Sequence, residues 1–221
     1  FDGTLDAEYS FNGTDWTAMG SLVATNSWSA TPDLGSVEGT MNLQVRATDK
    51  LGNRTSKSVT FYYDLANPSL DETGINTTAT QYRNGDFTLS GNAADSNQLA
   101  SVIVTATKNG AAQGVVFMKL SAGAWSWTKS VDVSGHTDDA EWVYTITAKD
   151  VANKTSVLTC TVVVDTTDPV ATVNAMSGYL SGTVTIGGTG TDTNIDRVEY
   201  QLGGTAGAWT TATGTNPWTH S

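Results

Sequence analysis

Apolar and polar residues alternate along most of this chain in short runs, among them Phe87-Thr-Leu89, Val102-Ile-Val-Thr-Ala106, Val143-Tyr-Thr-Ile146 and Val157 through Val164. A period of two sends successive side chains to opposite faces, which is the pattern of half-buried strands. No window holds a sustained helical period. Asn-Gly pairs at 12–13, 84–85 and 109–110 predict hairpin turns, because both residues accept the positive φ of a type I′ turn.

The pattern also repeats. Leu43-Gln-Val-Arg-Ala-Thr-Asp49 and Tyr144-Thr-Ile-Thr-Ala-Lys-Asp150 share one alternation, then run through Asn53 or Asn153 and an alternating strand to Asp64–Pro68 and Asp165–Pro169. The two prolines stand 101 residues apart. Leu89-Ser-Gly-Asn-Ala-Ala-Asp95-Ser-Asn97 matches Ile186-Gly-Gly-Thr-Gly-Thr-Asp192-Thr-Asn194, and Glu8-Tyr9 through Gly13-Thr14 to Trp16 and Trp28 matches Glu199-Tyr200 through Gly204-Thr205 to Trp209 and Trp218. A fixed period near 100 residues marks a tandem array. The expected division is 1–64 as the C-terminal part of one repeat, 65–165 as a complete repeat, and 166–221 as the N-terminal part of a further one, so that the chain reads as a piece of something longer. About seven short strands per repeat, bounded by turn signals, predict an all-β fold of tandem immunoglobulin-like sandwiches. Tyr144, near the start of the sixth strand, is placed to form a tyrosine corner.

Composition narrows the function. Eleven Lys and Arg face 22 Asp and Glu in 221 residues, a net charge of −11, so the basic stripe that a nucleic-acid surface needs is missing, as is attraction to anionic lipid. No stretch nears the roughly 18 apolar residues of a membrane span. A single cysteine, Cys160, excludes a disulfide framework and a Cys-based zinc site; its alternation phase makes it a small buried apolar residue. His136 and His220 lie far apart and neither recurs between repeats. No enzyme is expected. The Asn-x-Thr sequons at 12, 53, 76 and 153 are close to chance in so Thr-rich a chain.

The run from Ala47-Thr-Asp-Lys-Leu-Gly-Asn53 to the Asp-Thr-Thr-Asp-Pro169 linker resembles the bacterial immunoglobulin-like tandem repeats of large surface proteins and adhesins, and the likeness covers essentially the whole chain. The resemblance implies an extracellular or cell-surface stalk, sometimes stiffened by calcium at the junctions. In such a sandwich the loops after the second and sixth strands meet the entering linker at one end. That end should gather Asp64, Asn67, Asp95, Asn97, Asp150 and Asn153 in the complete repeat, and Asp165, Asp168, Asp192 and Asn194 in the next. Ca²⁺ takes six to eight oxygens of these kinds. Asp and Asn also form turns by bonding their own backbone, and recurrence alone does not separate the two readings.

Trp125 and Trp127 share one strand face, as core residues or as a sugar-stacking platform would; core is the favoured reading. Trp142 reads as packing. The leading function is a non-catalytic structural or adhesive spacer. Two others stand beside it: a carbohydrate-binding or accessory module of a secreted enzyme, and a self-assembling surface-layer or filament subunit. The expected partners are neighbouring repeats, with a host or surface glycan or protein receptor and self-assembly as further alternatives.

Overall fold

The computed structural model describes residues 6–19, 28–75, 77–203 and 207–221; Asn76 and the Gly204-Thr205 part of the third repeat match lie outside them. The strands between Ser69 and Val164 form a two-sheet sandwich. After β1 (Asp6–Ser10), β2 (Thr17–Ala18), β3 (Gly39–Thr48) and β4 (Arg54–Tyr63), its strands are β5 (Ser69–Leu70), β6 (Gln81–Arg83), β7 (Phe87–Ala94), β8 (Leu99–Lys108), β9 (Ala111–Lys119), β10 (Gly123–Lys129), β11 (Ala140–Asp150) and β12 (Thr155–Val164). One sheet runs β10-β7-β5 and the other β6-β12-β11-β8-β9. All pairs are antiparallel except β6 with β12. This is the immunoglobulin-like arrangement, with its first strand split: β5 belongs to one sheet and β6 to the other. The split gives eight strands where the turn spacing predicts seven.

It also corrects one turn. Asn109 and Gly110 take φ of 48° and 79° and close the β8–β9 hairpin as expected. Asn84-Gly85 makes no hairpin, because β6 and β7 lie in different sheets and this corner carries the chain between them. At the first pair only Gly13 has positive φ, 78°, while the Asn12 side-chain oxygen accepts from the Thr14 and Asp15 amides at 2.9 and 2.8 Å.

Inward positions of β7, β8, β11 and β12 fill the core with Leu89, Val102, Val104, Ile146, Val162 and Val164. Tyr144 sits among Phe87, Trp127 and Trp142, with ring centroids 5.8, 5.6 and 6.1 Å away. Its hydroxyl is buried without a hydrogen-bond partner, so Tyr144 is a core aromatic and not a tyrosine corner. Burial, with the nearby Cys160 and Asp138, pushes its phenol well above the ordinary range. Cys160 faces it across the β11–β12 ladder and is buried, which pushes its thiol up to about 12. Neither group ionises in physiological conditions.

The flanking units carry the remaining strands. β1 (Asp6–Ser10), β2 (Thr17–Ala18), β3 (Gly39–Thr48) and β4 (Arg54–Tyr63) form one sheet in the order β2-β1-β3-β4, matching β9-β8-β11-β12. No second sheet covers it among the described residues, and Val59, the counterpart of buried Cys160, is 54% exposed. After the linker come β13 (Val170–Val173), β14 (Ile186–Thr191), β15 (Glu199–Tyr200), β16 (Thr210–Thr211) and β17 (Trp218–His220), ordered β13-β14-β17 and β15-β16. The repeated glycine of the second strand has a steric cause. A Cβ on Gly91 would stand 2.0 Å from the Asp71 carbonyl oxygen, and one on Gly188 1.9 Å from that of Thr172. The first strand crosses the second so closely that only glycine fits.

An ion pair ties the loop after β10 back to the end of that strand. Lys129 Nζ donates to Asp138 Oδ1 at 2.8 Å, and the Asp132 amide donates to Oδ2 at 3.0 Å. Burial pushes the Asp138 carboxyl up, but Lys129 and the Asp132 amide outweigh it and hold the group below its usual value. A carboxyl depressed in the folded state adds stability above its unfolded pKa, about 3.9, which is lost as pH falls through the lower folded value. Urea midpoints between pH 7 and pH 2 should therefore fall only below about pH 4, and Lys129→Met should make that acid limb shallower.

Candidate metal centre

β11 ends at Asp150, β7 is followed directly by Asp95, and Asp64 leads the linker into β5. β7 turns directly into β8, which runs antiparallel to β11, so β7 and β11 deliver their C-terminal ends to the same end of the sandwich. The linker is pinned there as Ser156 Oγ donates to the Pro68 carbonyl at 2.5 Å and Ser69 Oγ to that of Ala94 at 2.9 Å. One carboxylate oxygen each from Asp64, Asp95 and Asp150 consequently lies within 4.8 Å of the others. Among the described residues this is the one group of three such side chains drawn together.

Each carboxylate spends its Oδ1 locally. Asp64 accepts from the Ala66 amide at 3.1 Å, Asp95 from Asn97 and Gln98 at 2.8 and 3.2 Å, and Asp150 from Lys154 at 2.9 Å. That is turn chemistry, and it leaves the other oxygens over. Asp64 is 8% and Asp150 1% exposed, and the Oδ2 of each is buried with no partner, as is Nδ2 of Asn97. A buried carboxylate left unpaired costs several kcal/mol, roughly, and like charges side by side raise that cost. The ion pairs seen among the described residues, Arg46–Glu8, Lys129–Asp138, His136–Asp139 and Arg197 with Asp196 and Glu199, lie elsewhere.

The other expected residues divide. Asn67 and Asn153 are exposed, and Asn153 has φ of 70° with its amide on the Asp150 carbonyl at 3.3 Å, a turn position. At the second junction Asn194 Nδ2 donates to Asp165 Oδ2, while Asp192 Oδ1 accepts the Asn194 amide at 2.8 Å. Asp165, Asp168, Asp192 and Asn194 line one groove there with Arg83 and Arg197. In the first unit, Asn53 Nδ2 donates to Asp49 Oδ2 at 2.8 Å, and the Leu51 and Asn53 amides donate to Oδ1. These bonds hold the Asp49 carboxyl below its usual value. Asp49, equivalent to Asp150, is thus a fully satisfied turn former. Among the described residues, Asp64 and Asp150 are the carboxylates that keep a buried oxygen with no hydrogen-bond partner.

The tryptophans resolve as well. Trp125 is 2% exposed and Trp127 packs against the core, so the pair forms no exposed platform. Trp125 lies opposite Gly91 and Trp218 opposite Gly188, which makes Trp125 the counterpart of Trp218. Trp28 and Trp209 are exposed, and Arg46 lies over Trp16 at 3.9 Å. Among the described residues no helix is long and apolar enough to cross a membrane.

No protein-family model and no curated protein matches the chain. Among solved structures it is similar to the fibronectin(III)-like modules of Clostridium thermocellum CbhA, at 17% identity over 72% of this chain and 77% of that one, with a TM-score of 0.42. A tetra-tandem repeat from the extending region of a large adhesion protein aligns with 100% of the chain at 22% identity and a TM-score of 0.39; the chain spans 58% of its length. A Ca²⁺-stabilized adhesin that helps an Antarctic bacterium reach out and bind ice aligns with 98% of this chain and 56% of its own, at 19% identity and a TM-score of 0.30.

Proposed function

We propose that the chain is part of a non-catalytic extracellular or cell-surface stalk, in which immunoglobulin-like repeats act as spacers and calcium holds successive repeats at their junctions. The proposed repeats are 1–64, 65–165 and 166–221. One observation carries the reading: linker, second-strand loop and sixth-strand loop converge three carboxylates within 4.8 Å, two of them with a buried, unpartnered oxygen. Oxygens that share one Ca²⁺ at 2.3–2.6 Å lie no more than about 5 Å apart. The donors are hard oxygens, which suits Ca²⁺ and not zinc or copper.

Asp64, Asp95 and Asp150 would hold the ion, and the Asn97 side chain would offer its oxygen if its amide is turned over, which the unpartnered Nδ2 favours. Asp165, Asp168, Asp192 and Asn194 repeat the linker and loop arms at the next junction. Because Asp64 precedes the sandwich and the other two belong to it, an ion there fixes the direction in which the linker enters. Calcium titrated calorimetrically into the chain should bind with a Kd of about 10⁻⁴–10⁻³ M, as extracellular modules do. Asp150→Asn, which keeps the acceptor for the Lys154 amide, should abolish that isotherm. Equal binding by the variant would remove the reading.

A further inference from the structure

We propose that a carboxylate latches each linker to the repeat it leaves, without metal, so that bending at a junction is confined to one or two residues. The proposal deepens the spacer reading and rests on it, but it does not need the ion. In an antiparallel pair, the residue before one strand lies across from the residue after the other. Gly39 opens β3 opposite Tyr63, the end of β4, and Ala140 opens β11 opposite Val164, the end of β12. Positions 38 and 139 therefore face the first residues of the two outgoing linkers. Both are acidic, Glu38 and Asp139.

Each acid takes up linker donors. Glu38 Oε2 accepts from the Leu65 and Ala66 amides at 3.2 and 3.1 Å. Asp139 Oδ1 accepts from the Thr166 amide at 3.0 Å and the Thr166 hydroxyl at 2.7 Å, and Oδ2 from the Thr167 hydroxyl at 2.9 Å. With its own proton on Asp139, the Thr166 hydroxyl is left to accept from His136 Nδ1, 2.7 Å away. Burial pushes the Asp139 carboxyl up, but these Thr donors and nearby His136 outweigh it and hold the group below its usual value. The same turn follows both repeats, since Asp64 and Asp165 accept the Ala66 and Thr167 amides, each at 3.1 Å. Farther on, the next repeat takes hold: Ser156 Oγ bonds the Pro68 carbonyl, and Val170 pairs with Thr191. Between the two sets of holds lie Asn67 in one linker and Asp168 with Pro169 in the other. Proline fixes its own φ and keeps the residue before it out of the helical region, so few torsions stay free. Loss of calcium then leaves a hinge at one point. The exit direction of each repeat persists, and only the entry into the next is released.

The test puts spin labels on the full chain at Val157→Cys and Val173→Cys, exposed strand positions on either side of the second junction. Their separation is measured in chelator; Cys160 is buried and takes no label. With Asp139 in place the distances should form one narrow distribution. Asp139→Ala should widen it by roughly 10 Å, the root-mean-square span of about three released residues. Thr167→Val removes one donor, leaves the Thr166 amide in place and should widen it less. An unchanged width in Asp139→Ala, or a parent width already equal to the variant's, would overturn the latch. Should Asp139→Ala fail to melt cooperatively, Thr167→Val decides, and an unchanged width there overturns the latch as well. Calcium binding to the same chains, read by calorimetry, should be equal with and without Asp139, which tells a failed metal reading from a failed latch.

Discussion

Chelation should lower the melting temperature of the complete repeat by roughly 6–20 °C relative to about 10 mM calcium. At Kd values of 10⁻⁴ to 10⁻³ M that concentration contributes about 2.7 to 1.4 kcal/mol to the bound, folded state, and 1 kcal/mol moves the midpoint of a 100-residue domain by about 4–8 °C. Without the ion, Asp64 repels Asp95 and Asp150, so the linker should swing away and the maximum dimension seen by small-angle scattering should shorten. Asp150→Asn should cancel the calcium dependence of both measurements. Magnesium, which demands a tighter octahedral shell, controls for charge screening. Scattering profiles and melting curves that coincide in calcium, chelator and magnesium would leave Asp64, Asp95 and Asp150 as turn formers only.

Trp125→Ala should cost about 3–5 kcal/mol, a large share of the roughly 5–15 kcal/mol that holds a domain together. The ring is buried between β10 and the core, tilted against Phe117 at 6.4 Å between centroids. It faces Gly91, where no side chain could move in to fill the space. Trp125→Phe should cost far less, because it retains most of the ring and removes an indole N–H that has no partner. Chemical denaturation of the two variants checks this. A midpoint unchanged in Trp125→Ala would mean that the ring is not part of the core.

The alternation in β8, β11 and β12 was enough to place their inward residues, and the topology of the expected sandwich was enough to bring the linker and loops that carry Asp64, Asp95 and Asp150 to one end. Loops after the second and sixth strands of such a sandwich have nowhere else to go. The sequence could not show which acidic oxygens are already used. Asp49 and Asp150 sit in the same motif, yet the Asn53 side chain closes the first, while the buried Oδ2 of the second has no partner. Nor could it show that the first strand divides between sheets, since β5 and β6 are two and three residues long and carry too little pattern. The Asn84-Gly85 turn signal misled for that reason. The glycine shared by the Gly91 and Gly188 motifs was visible as a match, but its cause, a carbonyl 2 Å from the missing Cβ, is a contact between strands far apart in sequence.

The linker enters beside Asp150, where β11 ends, and the chain leaves beside Asp139, where β11 begins, so each repeat carries the polypeptide from one end of the sandwich to the other. An unfolded linker of ~100 residues has a root-mean-square span of about 55 Å, and that span grows only as the square root of its length. A repeat whose β12 is ten residues long advances the chain by about 33 Å, and straight junctions add these advances linearly. Beyond about three repeats the folded array therefore outreaches the same polypeptide as a coil. Lengthening the gene by duplication then extends the molecule in proportion, where a disordered tether of equal length would mostly thicken the cloud around its anchor.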